Sequence, residues 1–214
     1  MEIKDEGLMF VISADQRGSR AREDLVGPAR EAINDQFGDS LALPADRNAG
    51  DEIQLLTDSA ATVLDITIML ARTGNWSIGI GVGTVRTPLP GAVGEATGDA
   101  FIAARDAVTA AKRRQTRVAV RGGNLTDAAW PTAEDAQSLL DPLLELLRRR
   151  SGQGWELHDV LTSAPTQADA AQVLGITAAA VSDRAKVAAL KIERDARKAL
   201  VRLLENLATT ATTP

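Results

Sequence analysis

Three acids and a basic turn carry the residue types that could do chemistry. Asp15 ends the apolar run "GLMFVISA" and opens the polar turn "DQRGSR". Asp51 and Glu52 sit in "RNAGDEIQLL", where the turn Asn48, Ala49, Gly50 hands the chain straight to a second apolar run. Paired carboxylates at neighbouring strand ends are a way to hold Mg²⁺ against nucleotide phosphates. Gly18 would let backbone amides approach a phosphate, with Arg17 and Arg20 nearby. Asp15, Arg17, Gly18, Asp51 and Glu52 are therefore the candidate ligand residues, with Asp15 and Asp51 as the metal pair and Mg²⁺ plus a nucleotide as the ligand. The plain alternative is that an acid at a strand end and a Gly-Asp turn are common and have no task.

A second constellation lies near the C-terminus, in "TQADAAQVLGITAAAVSDRAKVAAL". Thr166 can cap a helix over 167–174, Gly175 breaks it, and Thr177 can cap a second helix from 178 onward. Two short helices joined by a three-residue turn with glycine form a helix-turn-helix. Ala170 and Ala171 are small where the helices cross, and Leu174, Ile176 and Val181 supply the core between them. Read as a double-stranded DNA module, its contact residues are Thr166, Gln167, Thr177, Ala178, Ala179, Ser182, Asp183, Arg184 and Lys186. That face is poor in the Arg, Asn and Gln that read base edges, although Lys191, Arg194, Arg197 and Lys198 extend the supply of phosphate partners. From 155 to 214, seven Lys/Arg balance seven Asp/Glu, so a helical packing or dimerisation module is the competing reading. Ile192, Ala196, Ala199 and Leu203 recur at helical spacing and offer a seam for a homodimer, or for docking on the N-terminal domain.

The elements that must position these residues follow from apolar patterning. Strands are expected at 7–14, 41–44, 51–57, 76–85 and 117–122, and helices at 21–37, 59–73 and 99–113. Pro28 must kink the first helix or mark its first turn. Glycine alternates through "WSIGIGVGTV", which suits a strand approached closely by another backbone. Helices alternating with apolar runs predict an α/β (α+β) sheet with packed helices. The β-α-β-β-α-β portion is the split arrangement of ferredoxin-like and palm-type folds. In such a sheet the first and third strands are adjacent and antiparallel, which brings Asp15 and Asp51 to one rim. After about residue 123 only helices are expected. In "SLLDPLLELLRRR", Asp141 reads as an N-cap with Pro142 at the first helical position, and "RRRSGQG" reads as a hinge. The expected division is an α/β domain at 8–123, linker helices at 124–154 and an all-α helix-turn-helix domain at 155–208.

Composition narrows the function classes. The 214-residue chain carries a net charge of −5, with no global pull towards nucleic acid or an anionic membrane. With no cysteine there is no disulfide framework and no thiolate zinc site. The apolar runs are too short to span a bilayer, and "MEIKDEG" lacks the apolar core of a signal peptide, so a cytoplasmic location without a membrane partner is expected. "MEIKDEG" and "TTATTP" read as loose ends, and Met9 is an alternative start. Scarce aromatics argue against a base-stacking surface for single strands. Glycines 79, 81 and 83 lack the spacing of a dinucleotide fingerprint. His158, the only histidine, reads as a packing or capping residue, and Arg148–Arg150 as a solvated helix C-terminus.

The runs "MFVISADQRGSR", "AGDE", "WSIGIGVGTV" and "GDAFIAARDAV", followed by "QADAAQVLGITAAAVSDR", resemble the SatD family of bacterial proteins from Met9 to about Leu204. The resemblance implies an N-terminal α/β domain joined to a helix-turn-helix, and a regulatory role. More distantly, the α/β half is similar to the palm of class III nucleotide cyclases and GGDEF proteins. There a strand-end Asp and a hairpin "GD" bind two metal ions, and Asp15 and Asp51 fall on those positions. The likeness also makes Arg105 a ligand residue, because cyclases carry an Asn one turn before an Arg on that helix. Here Phe101 and Ile102 stand four and three residues before Arg105, which argues against turnover. The expected protein is a DNA-binding transcription regulator with a non-catalytic ligand-sensing or dimerisation domain. The rivals are a Mg²⁺-dependent nucleotidyl cyclase and a protein-interaction module.

Overall fold

The computed structural model describes residues 8–21, 23–48, 50–123, 131–164 and 166–209. The expected loose ends at 1–7 and 210–214, and Ala49 of the acidic turn, lie outside them. The chain divides into two compact units, one of Met1–Asp141 with Leu200–Pro214, the other of Pro142–Ala199.

In the first unit, the apolar β1 (Leu8–Gln16) is buried from Phe10 to Ala14 and forms the centre of a five-stranded sheet. After α1 (Val26–Phe37) come the hairpin strands β2 (Leu43–Arg47) and β3 (Glu52–Thr57), then α2 (Ala60–Thr73). β4 (Trp76–Thr84), α3 (Asp99–Ala111) and β5 (Val118–Gly122) complete the set. The sheet order is β2-β3-β1-β4-β5. Every neighbouring pair is antiparallel except β4–β5, which is parallel.

The glycines of β4 explain how α3 sits. A Cβ on Gly79 would lie 2.2 Å from the Val108 backbone nitrogen, and one on Gly81 would lie 2.1 Å from the Ala100 carbonyl oxygen. The backbone of α3 therefore rests almost directly on the strand. Its facing residues Ala100, Ala104 and Ala111 are fully buried, because only a small side chain fits so narrow a gap.

Both edges of the sheet are closed by a side-chain amide acting as a short piece of strand. On β2, Asn34 of α1 accepts from the Ala45 backbone N–H at 2.8 Å and donates to the Ala45 carbonyl at 2.9 Å. On β5, the buried Gln137 accepts from the Val120 N–H at 2.8 Å and donates to the Val118 carbonyl at 3.3 Å. Each takes up edge groups that would otherwise template pairing with another chain.

Helices fill the rest: α4 (Ala133–Arg148), α5 (Gly152–Ser163), α6 (Gln167–Leu174), α7 (Ala178–Val187) and α8 (Leu190–Thr209). Among the described residues no helix is long and apolar enough to cross a membrane.

Several boundaries differ from expectation. The first helix starts at Val26 rather than near 21, with Pro28 in its first turn. The buried Gln16 carboxamide donates to the Glu23 carbonyl and accepts from the Leu25 N–H, so it holds 23–25 as a loop. The second strand runs from Leu43 rather than 41. Asp141 is not an N-cap, and Pro142 lies inside α4. The helix begins two turns earlier, where Thr132 and Asp135 cap each other reciprocally. Asp141 instead accepts from Arg114, Thr116 and Gln137. The segment expected as a hinge is an ordered helix start, with Ser151 Oγ accepting from the Gly154 N–H.

Candidate functional site

Strand register places the acidic pair. Asp15 is the penultimate residue of β1 and lies opposite Glu52 of β3 on one side and Ser77 of β4 on the other. The Gln16 N–H donates to the Asp51 carbonyl at 2.9 Å, which ties the end of β1 to the hairpin turn. Beyond it the chain turns through Gly18, at φ 70°, into a short 3-10 turn at Ser19–Ala21. Asp15 and Asp51 both line an open basin of about 730 Å³ at this rim.

The basin is more basic than acidic. Arg17, Arg20, Lys112 and Arg117 line it with the two carboxylates. Lys112 Nζ, at the end of α3, lies 2.7 Å from Asp15 Oδ2. Ser19 Oγ donates to Asp51 Oδ2 at 2.6 Å. Arg17 donates to the Gly74 carbonyl at the C-cap of α2 (2.7 Å), which pins its guanidinium at the rim. Arg117 donates to the Lys112 carbonyl at 2.6 Å and holds a left-handed backbone, φ 59°. A non-glycine residue rarely stays there without a local reason.

Of the expected ligand residues, Asp15, Arg17, Gly18 and Asp51 come together in this basin. Glu52 and Arg105 do not line it. The Glu52 carboxylate accepts from Asn48 at 3.3 Å, and Arg105 is exposed on α3. Lys112, Arg117 and Ser77 were not expected. Their one visible signal was the strand-helix-strand alternation that carries α3 from β4 to β5.

Mg²⁺ fits this donor set poorly. The Lys112 ammonium already supplies positive charge to Asp15, and Ser19 occupies one Asp51 oxygen. Among the described residues no group of three or more His, Cys, Asp or Glu could hold a metal ion.

In the second unit α5, α6 and α7 share a small core. Leu157, Ala170, Ala171 and Val181 are buried, with Leu174 and Ile176 packed against them. Leu157, from α5, is the member that reasoning on the α6–α7 segment alone missed. Gly175 takes φ 63° at the end of α6, a conformation that glycine adopts without strain. Thr166 caps α6 through the Asp169 N–H (3.2 Å) and Thr177 caps α7 through the Ala180 N–H (3.1 Å). Gln167, Ala178, Ala179, Asp183 and Lys186 are exposed, while Ser182 and Arg184 are half-buried. Four of the six cations expected to meet phosphates have acidic partners: Arg184 with Glu156 at 3.1 Å, Lys186 with Asp183 at 3.3 Å, Lys191 with Asp195 at 2.7 Å and Arg197 with Glu193 at 3.4 Å.

Arg150 overturns the reading of 148–150 as a solvated terminus. Arg148 and Arg149 are exposed and pair with Glu145, but the Arg150 side chain is buried against Glu193 at 2.5 Å. His158 Nε2 lies 3.6 Å from the same carboxylate. Burial pushes the Glu193 carboxyl up, yet His158 and Arg150 outweigh it and hold it at about 2. The Glu193 carboxylate in turn raises His158 above its ordinary value, against burial. On α8 the buried residues are Glu193, Leu200, Leu204 and Leu207. Of the seam expected at Ile192, Ala196, Ala199 and Leu203, Ile192 and Ala199 are exposed and Ala196 and Leu203 half-buried in the single chain.

Compared with known proteins, the chain matches no family model, no curated protein and no solved structure.

Proposed function

We propose that this chain is a cytoplasmic DNA-binding transcription regulator, with a helix-turn-helix in α6–α7 and a non-catalytic ligand-sensing or dimerisation domain in the sheet. The observation that carries it is the α6–α7 pair. Two capped helices, separated by a three-residue glycine turn, pack on α5 while the first turn of α7 stays exposed. That is the way a recognition helix is presented to a major groove. The antiparallel order β2-β3-β1-β4 supports the ferredoxin-like, palm-type reading of the sheet, and with it the resemblance to the SatD family and to nucleotide cyclases. A nucleotidyl cyclase is the weaker reading, because Phe101 is buried where cyclases place an asparagine and Asp15 is already paired with the Lys112 ammonium. An alanine-rich reading helix gives little specificity alone, so binding as a homodimer to two half-sites is expected. A ligand in the sheet domain would act only through different affinities for two states of the protein.

The test is titration into labelled duplex DNA from the gene's own upstream region, with random duplex as control, across a salt series. A specific complex that weakens with salt and is lost on Lys186→Glu is expected. Equal binding to both duplexes at low salt would refute sequence-specific recognition of that region. No binding to either would leave the helical pair as a protein-docking module.

A further inference from the structure

We propose that the basin at the ends of β1 and β4 binds a phosphate-bearing small anion directly, without a divalent metal, with the Lys112 ammonium standing where a cation would otherwise bridge carboxylate and phosphate. The proposal rests on the ligand-sensing half of the reading above and is independent of DNA binding.

Charge is the first argument. Arg17, Arg20, Lys112 and Arg117 face Asp15 and Asp51, so the basin is net positive on a chain of net charge −5. A local reversal of sign in a concave place draws in small anions. Geometry is the second. Asp15 Oδ2 takes only one of the three Nζ donors of Lys112, which is itself half exposed. Arg17 is fixed through one Nη on Gly74, and Arg117 through one Nη on the Lys112 carbonyl, so each guanidinium keeps further donors for a ligand. Anchored guanidinium and ammonium groups around one opening suit the several oxygens of a phosphate chain. The backbone of Arg117 is the third. Arginine holds a left-handed φ of 59° there, where glycine would rest without strain. A bridging metal, by contrast, would have to share Asp15 with the ammonium of Lys112, against like-charge repulsion.

The experiment is calorimetric titration of the full chain with inorganic triphosphate and, separately, with ATP and GTP, each in EDTA and in Mg²⁺. Binding in EDTA is expected. Arg117→Gly and Lys112→Gln should each weaken it by about ten-fold, the loss of one charge-assisted hydrogen bond. Asp15→Asn should tighten it, because a repelling charge goes and Lys112 is released. Thermal melts check that each variant folds; Arg117→Gly suits the purpose because it relieves the backbone as it removes the side chain. A nucleotide that binds tighter than triphosphate identifies a base-recognising site, and equal affinity identifies a polyphosphate site. Binding that needs Mg²⁺ and vanishes in Asp15→Asn overturns the proposal in favour of a metal centre. Absence of binding, or binding that ignores both cation variants, also overturns it. Failure to bind duplex DNA bears on the helical pair and leaves this result standing.

Discussion

Replacing Glu193 by glutamine should cost the helical unit about 3–5 kcal/mol, the usual consequence of leaving a buried charge without its partner. The Arg150 side chain is 1% exposed and that of Glu193 is 3% exposed. Arg150 donates to Glu193 Oε2 at 2.5 Å and twice to the Ala188 carbonyl, at 2.9 and 3.1 Å. Its guanidinium carbon lies 4.5 Å from the centroid of the Trp155 ring, and its Nη1 is buried without a hydrogen-bond partner. Little water reaches this cation, so the carboxylate is its main compensation. Glutamine keeps the shape and an acceptor and removes only the charge. Exchanging both partners for apolar residues, Arg150→Met with Glu193→Leu, should recover at least half of the loss, because no charge then remains to be desolvated. The consequence reaches α7. Ala188 is the residue that ends it, and Ala189 follows in a left-handed turn at φ 54°, so the pair pins the C-terminal end of the proposed recognition helix. Urea denaturation of the full chain, followed by far-UV circular dichroism, reads the cost; the two units need not melt together, and the helical transition is the one to follow. A loss below about 1 kcal/mol for Glu193→Gln would mean that Arg150 reaches water, and the reasoning would fail.

The same cluster sets a pH window. The lowered Glu193 carboxyl contributes stability that is present above 4.5 and lost as pH falls towards about 2. The raised His158 contributes stability present below 6.5 and lost as pH rises through its higher folded value. Helical-unit stability should therefore peak between 4.5 and 6.5, and His158→Gln should flatten the alkaline limb and shrink the acid one, since His158 also helps hold the Glu193 carboxyl low; an alkaline limb that survives in that variant would exclude the histidine as its cause. In the sheet unit, Gly81→Ala should destabilise by about 3 kcal/mol or more, since its Cβ would meet the Ala100 carbonyl at 2.1 Å and the Ala104 nitrogen at 2.3 Å, both backbone atoms that cannot swing aside. Gly91→Ala, with nothing within 4 Å, is the control and should leave the thermal midpoint unchanged.

Local signals were legible in the sequence and long-range ones were not. Ser59, Thr166 and Thr177 cap helices where their types and spacing predict, because capping is settled within four residues. The glycine alternation in β4 announced a close backbone neighbour, although not which helix would supply it. The start of α1 depended on Gln16, a strand residue whose amide happens to reach Glu23 and Leu25. The start of α4 was mistaken because Asp141-Pro142 is a legitimate helix opening by type. The reciprocal Thr132–Asp135 cap was present but overlooked. Lys112 and Asp15 are separated by 97 positions, and no periodicity or motif joins them. Arg150 looks like its two neighbours in the run, and its buried acceptors, the Ala188 carbonyl and the Glu193 carboxylate, lie 38 and 43 positions away.

Packing and the basin are nonetheless one construction. α3 approaches the sheet so closely because Gly79, Gly81 and Gly83 leave room for its backbone. Gly79 meets α3 at Val108, one turn before Lys112, so the depth of that contact decides where the ammonium arrives relative to Asp15. Arg117 then donates back to the Lys112 carbonyl, and its own carbonyl accepts from the Ile78 N–H at 2.8 Å, joining the end of α3 to β4 beside Ser77. Backbone packing thus sets where the cation starts from, and the less it must move to meet an incoming anion the less binding costs. A side chain added at Gly79 would lift the end of α3 and carry Lys112 away from Asp15. Ligand affinity and sheet stability should therefore fall together in Gly79→Ala, whereas Lys112→Gln separates them by touching the basin alone.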